Sequence, residues 1–157
     1  MPNKIIIYTD GAASGNPGPG GYGVVLIAGP HRKQLSQGYK LTTNNRMELL
    51  AVITGLEALK NEGSEVIVYT DSKYVSEAVE QGWVFTWEKN RFKKKKNPDL
   101  WIRFLTVFRK HKVRFKWIKG HNNNPENELC DKLAVSAYQS GNLLEDQGYL
   151  NGQLHLN

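Results

Sequence analysis

Two stretches of the chain end alike. Ile5-Ile6-Ile7-Tyr8-Thr9-Asp10-Gly11 and Val66-Ile67-Val68-Tyr69-Thr70-Asp71-Ser72 each carry an apolar, β-branched run, then Tyr-Thr-Asp, then a small residue. Each run reads as a buried strand. As parallel neighbours about 4.8 Å apart, the two strands would release Asp10 and Asp71 side by side at the carboxyl edge of a sheet. That edge is where open α/β sheets hold ligands. Two close carboxylates repel unless they share a proton or a cation, and a hard, oxygen-liking divalent ion such as Mg²⁺ suits them. For one Asp alone, a turn residue ending a strand is the simpler reading. The repetition of the whole pattern favours the pair.

Two further acids have weaker claims on spacing alone. Glu48 precedes Leu49, so at about 100° per residue it flanks the apolar stripe of its helix. An ordinary first-turn Glu complementing the helix dipole would look the same. Asp131 falls early in a last helical pattern, beside the face carrying Leu129, Leu133 and Ala137.

The elements that must position these acids are legible in outline. Strands are expected over residues 4–10, 22–28, 34–41, 65–70 and 113–118. Helices are expected over 43–60, 72–80, 99–111 and 126–140, and the glycine-rich 11–21 reads as a turn. Leu49, Val52, Ile53, Leu56 and Leu59 give the first helix its period, with Thr42 or Thr43 as cap. Three strands, helix, strand, helices, strand, helix is an α/β order. It predicts a five-stranded mixed sheet with helices on both faces, the first three strands antiparallel and the rest parallel to the first. Residues 1–142 form the expected domain, and 143–157 a C-terminal tail without a strong pattern.

Composition sets the class. The 157 residues are 39% hydrophobic and 23% charged, with one cysteine, Cys130. This is one globular domain with no internal disulfide, no Cys-rich zinc site, no signal-peptide pattern and no run long enough to span a membrane. A lone thiol suits a reducing cytoplasm. The net charge of +6 is unevenly spread: residues 88–119 hold thirteen Lys/Arg against Glu88 and Asp99, and the remainder is net acidic. A basic, aromatic-interleaved segment on an acidic body usually meets a polyanion.

The motifs then resemble one family. Tyr8-Thr9-Asp10-Gly11 with Gly15-Asn16-Pro17-Gly18-Pro19-Gly20-Gly21-Tyr22-Gly23, Thr42-Thr43-Asn44-Asn45-Arg46-Met47-Glu48-Leu49, Tyr69-Thr70-Asp71-Ser72-Lys73-Tyr74-Val75, and Trp117-Ile118-Lys119-Gly120-His121 followed by Pro125-Glu126-Asn127-Glu128 and Cys130-Asp131 resemble bacterial-type ribonuclease HI, in family order and spacing. The resemblance runs over roughly residues 3–140. It implies the ribonuclease H-like fold and an endonuclease that cuts the RNA strand of RNA–DNA hybrids, leaving 5′-phosphate and 3′-hydroxyl ends. It also implies that Asp10, Glu48, Asp71 and Asp131 hold two Mg²⁺ ions about 4 Å apart, with Mn²⁺ as a substitute. Asp10 would touch both ions, Asp71 the one on the attacking-water side and Glu48 the one on the leaving-group side. His121 matches the mobile-loop histidine that assists proton transfer or product release. Asn124 stands where the family often has a second histidine.

For the substrate, the resemblance implies contacts from Gly11, Asn16, Asn44 and Asn45 to the hybrid, and a DNA-phosphate pocket at Thr43 and Asn97. The basic excursion at about 82–98 matches the family's handle, carrying Trp83, Lys89, Arg91, Lys93, Lys94, Lys95 and Lys96. It is several residues shorter than the best-known bacterial form, with Phe92 where a tryptophan is usual. A monomer in the cytoplasm, without membrane contact, is expected. Integrases, resolvases and the nuclease domains of reverse transcriptases share acidic clusters but not the Thr-Thr-Asn-Asn-Arg-Met-Glu string with a handle. A non-catalytic hybrid-binding module would lack at least one of the four carboxylates. A structural protein with a basic tail fits poorly, because the basic run is internal.

Overall fold

The computed structural model describes residues 4–120 and 122–155. In chain order the elements are β1 (Lys4–Ala13), β2 (Gly18–Ala28), β3 (His31–Thr42), α1 (Asn44–Glu57), β4 (Glu65–Thr70), α2 (Lys73–Glu80), α3 (Trp83–Lys89), α4 (Pro98–Phe108), β5 (Lys112–Trp117), α5 (Pro125–Gln139), β6 (Leu143–Leu144) and α6 (Gln147–His155). The sheet order is β5-β4-β1-β2-β3-β6. β1, β2 and β3 form an antiparallel meander, and β4 and β5 run parallel to β1. The sheet has six strands rather than five, because the short β6 pairs parallel to β3. Two residues are too few to show an alternating pattern in a sequence.

The two faces differ. Ile5, Ile7, Val66, Val68 and Phe115 point to one side, into a core closed by α1, α2 and α4. α1 is buried along most of its length, from Arg46 to Leu56, because the sheet lies on one side of it and α4 on the other. Its start is fixed by Thr43, whose side chain accepts a hydrogen bond from the Arg46 N–H, a capping contact. Ser72 caps α2 and Asn124 caps α5 in the same way.

On the opposite face α5 packs over β1, β2 and β3. Glycines make that approach possible. A Cβ at Gly23 would strike the Cys130 carbonyl oxygen, and one at Gly38 the Ala137 carbonyl oxygen. This explains where the expected turn differs. Residues 11–21 are not all turn: β1 runs on to Ala13 and β2 starts at Gly18, with Gly11 opposite Tyr22 and Ala13 opposite Gly20. The glycines serve the ladder and its close neighbours more than the bend, which is confined to 14–17.

The basic excursion is also more ordered than its composition suggests. It contains α3, with Val84 buried and Trp87 edge-on to Trp101 at 5.7 Å. The last helix of the sheet's first face is Pro98–Phe108 rather than 99–111, since Asn97 takes a left-handed conformation (φ 61°) and Pro98 opens the helix. The segment after residue 142 packs against the body: Asp146 is buried and accepts from Thr42 Oγ1 at 2.7 Å.

Candidate active site

Asp10 and Asp71 emerge where β1 and β4 end side by side, in register through Tyr8 opposite Tyr69. Glu48 reaches the same point from the first turns of α1. One carboxylate oxygen from each of Asp10, Glu48 and Asp71 lies within 4.8 Å of the others. Glu48 comes this close because Gly11 has no side chain: a Cβ there would meet the backbone of Met47 and Glu48. The Gly11 N–H in turn bonds the Glu48 carboxylate. Asp131, on α5, lies outside that trio but beside Asp10, and its charge acts on it.

The electrostatics record the crowding. Burial, then the charges of Asp71 and Asp131, push the Asp10 carboxyl up to about 8. Burial, then Asp10 and Asp71, hold Glu48 well above the ordinary carboxylate range. Glu48 Oε2 is fully enclosed and has no hydrogen-bond partner among the described residues. Such an orphaned acceptor is costly unless something cationic meets it. An all-oxygen donor set of this kind fits a hard divalent cation. Cys130 sits buried behind the cluster, its thiol pushed far up first by burial, which leaves it inert.

Asp71 is steadied from β5. The Trp117 indole N–H donates to the Asp71 carbonyl oxygen at 3.0 Å. Gly120 lies against the Asp71 carboxylate, where a Cβ would come within 2.7 Å of Oδ2. His121 lies outside the described residues.

The expected substrate-contacting residues fall into two groups. Near the cluster, Asn16 Oδ1 accepts from the Asn44 N–H at 3.1 Å, and Asn44 Oδ1 accepts from the Ala13 N–H at 2.7 Å. These bonds latch the β1–β2 turn to the start of α1 and leave the Asn44 amide N–H groups exposed beside exposed Asn45. Farther out, Asn97 Oδ1 accepts from Arg46 Nη1 at 3.3 Å, and its Nδ2 donates to the Tyr74 hydroxyl at 3.0 Å. A groove of about 390 Å³ follows, bounded by Tyr74, Trp83, Trp87 and Lys94, Lys95 and Lys96. Trp83 is exposed. Lys89, Arg91 and Lys93 are exposed on the handle but do not line this groove.

Three supporting residues escaped the sequence reading. Arg46 was visible inside a motif string but had no role there. It is 3% exposed and holds Asp99 and Asp146 each through two hydrogen bonds of 2.8–2.9 Å. Asp146 gave no signal, sitting in an unpatterned tail. Trp117, like Arg46, stood inside a motif string without a role.

The geometry defines a carboxylate-centred α/β protein with a basic protrusion, and the comparisons agree on its kind. The pattern of the family described as RNase H matches residues 2–139. Ribonuclease H of Trichodesmium erythraeum is 56% identical over 151 residues, covering 93% of this chain and 96% of that one. Ribonuclease HI of Synechocystis sp. is 51% identical over 154 residues, 94% and 96% of the two chains. Among solved structures, LC11-RNase H1 in complex with an RNA/DNA hybrid superposes with a TM-score of 0.65 at 29% identity, covering 86% of this chain and 96% of that one. The chain belongs to the RNase H family, in its bacterial ribonuclease HI branch. It is an endoribonuclease, a hydrolase of phosphodiester bonds.

The glycine face makes one requirement of the site explicit. Gly23→Ala should push α5, and with it Asp131, away from Asp10. The expected loss is about 2 kcal/mol of stability, as for other overpacked contacts, read by urea denaturation. Weaker Mg²⁺ binding in calorimetry should accompany it. Unchanged stability would mean that α5 accommodates the methyl.

Proposed function

We propose that the protein hydrolyses the RNA strand of RNA–DNA hybrids, leaving 5′-phosphate and 3′-hydroxyl ends. The observation that carries this reading is the Asp10–Glu48–Asp71 cluster, whose enclosed Glu48 Oε2 has no hydrogen-bond partner among the described residues. A relative of the same fold holding a hybrid supports the substrate. Asp10, Glu48, Asp71 and Asp131 would hold two Mg²⁺ ions, with Mn²⁺ able to substitute. Bound there, such ions supply Lewis-acid activation of water and charge stabilisation at the leaving oxygen.

The chain's own groups do the rest. Asp10 and Glu48, crowded and desolvated, would release their protons to solvent as a cation enters the site. Asn16, Asn44 and Asn45 face the minor groove, where 2′-hydroxyls distinguish RNA from DNA. An amide can donate and accept at once, which suits that edge. Gly11 lets the RNA backbone come close. Thr43 and Asn97 grip a phosphate of the DNA strand. The handle, through Trp83, Lys89, Arg91 and Lys93, Lys94, Lys95 and Lys96, supplies a salt-sensitive hold on the same strand. His121 moves a proton or eases product departure. The protein works as a cytoplasmic monomer.

Product ends and ion number are tested together. Cleaved RNA should be accepted by a ligase at its 5′ end without prior phosphorylation, and calorimetry with hybrid present should give two Mg²⁺ per protein. Products with 5′-hydroxyl ends, or a single bound ion throughout turnover, would contradict the reading.

A further inference from the structure

Among the described residues, one part of the sheet has no helix packed over it. α5 covers β1, β2 and β3 on its face, leaving β4 and β5 open on that side. Three rows of side chains run from β1, at the edge of α5, onto this open face: Lys4, Glu65 and Lys112; Ile6, Ile67 and Arg114; Tyr8, Tyr69 and Lys116. Lys112, Arg114 and Lys116 are all exposed, at alternate positions of the edge strand. None has a carboxylate within ion-pair distance among the described residues. Glu65 is the single acid in the three rows. Lys116 lies over the Tyr69 ring at 5.9 Å, and Tyr69 stacks on Tyr8 at 4.7 Å.

The rows lead to the active site. Two residues beyond Tyr8 and Tyr69 on the same strands stand Asp10 and Asp71, so the tyrosine row begins about 7 Å from the carboxylates. The basic track runs directly away from them along β5. It faces away from the handle, since α3 packs on α2, which belongs to the other side of the sheet.

We propose that this open face binds unpaired RNA that continues from the strand lying at the carboxylate cluster. The inference rests on the proposed function, which puts the RNA strand there. A rigid duplex spanning the cluster and the handle cannot also turn onto the opposite face, but a flexible single strand can. The DNA strand is engaged on the handle side and does not reach it. A second protein strand is disfavoured, because the Glu80 carboxylate already takes the Phe115 N–H of the β5 edge at 2.7 Å. Three unpaired cations beside half-buried tyrosines match what a single strand offers, phosphates and polar edges.

The test compares cleavage of a blunt hybrid with hybrids bearing a ten-nucleotide extension of RNA, or of DNA, at either end. For the wild type, an RNA extension at one end should lower KM about tenfold with kcat unchanged. Three neutralised phosphates predict that this advantage all but disappears between 50 and 200 mM salt. The variant Lys112→Ser/Arg114→Ser/Lys116→Ser changes only exposed side chains. It should cut blunt hybrid like the wild type and lose the advantage, with thermal melting confirming its fold. Equal KM for blunt and extended hybrids in the wild type would overturn the proposal. So would an advantage that survives in the variant or is matched by a DNA extension. Fluorescence anisotropy with the single-stranded RNA alone separates the two readings: if the wild type cuts no hybrid, the proposed function fails, and loss of RNA binding in the triple variant still decides the surface.

Discussion

Asp10→Asn should abolish cleavage and at the same time stabilise the metal-free protein. The side chain keeps its size and one carbonyl oxygen but loses the charge that an ion needs. If that charge supplies several kcal/mol to the transition state, the rate falls by at least about a thousandfold. The stability gain has a separate cause. Burial and the neighbouring Asp71 and Asp131 raise the Asp10 carboxyl to about 8, so the folded state binds a proton that the unfolded chain, near 3.8, does not. Stability without metal therefore falls as pH rises from about 4 to about 8. The asparagine variant should escape that slope and gain of the order of 3 kcal/mol at pH 8. Thermal melts in EDTA at pH 5 and pH 8 check this: the two proteins should differ little at pH 5 and most at pH 8. Added Mg²⁺ should raise the wild-type midpoint and leave the variant nearly unmoved. A variant less stable than wild type at pH 8 would mean that Asp10 is held by favourable contacts and not crowded.

The second large effect lies away from the chemistry. Arg46 is almost wholly enclosed, between Asp99 on α4 and buried Asp146 just before α6. Burial alone would lower its affinity for a proton; its bonds to Asp99 and Asp146 more than reverse this, and the guanidinium is held charged. Asp99 is likewise pushed up by burial and then pulled below its usual value by Arg46. Removing the cation leaves Asp146 buried and unpaired, which costs about 3–5 kcal/mol. That is a large share of the stability of any domain this size. Arg46→Ala should therefore lower the urea midpoint sharply. Arg103→Ala serves as the control, since its pair with Glu57 is half-exposed and such pairs contribute about 0–1 kcal/mol. Equal effects of the two variants would show that burial is not what makes the Arg46 network matter. Because Asp99 is depressed, its part of the network is present above about 4 and fades as pH falls below that.

The two variants also mark what a sequence can show. The twin Tyr-Thr-Asp endings announced the parallel β1–β4 pair and the site at its edge, because strand period and strand pairing are local rules. α1 was legible for the same reason, and of its two candidate caps, Thr42 and Thr43, the structure uses Thr43. Glu48 was ambiguous until Gly11 was seen to let α1 touch β1, a contact between segments distant in the chain. Asp146 was invisible: nothing in an unpatterned tail says that its carboxylate will meet an arginine a hundred residues earlier. The two-residue β6 and the seven-residue helix inside the basic excursion were missed because both are too short for a repeating pattern to stand out. Glycines 11, 18, 20 and 21 were read as bend residues when they are strand residues in close contact with their neighbours, a difference that only packing reveals.

Strand-specific cleavage tests the central claim most directly. End-labelled RNA–DNA hybrid, duplex DNA, duplex RNA and single-stranded RNA are each incubated with the protein in Mg²⁺ and in EDTA. The expected result is cutting of the RNA strand of the hybrid alone, only with Mg²⁺, and its loss in Asp10→Asn. Cutting of single-stranded or duplex RNA at a similar rate, or hybrid binding without cleavage in either Mg²⁺ or Mn²⁺, would contradict the account.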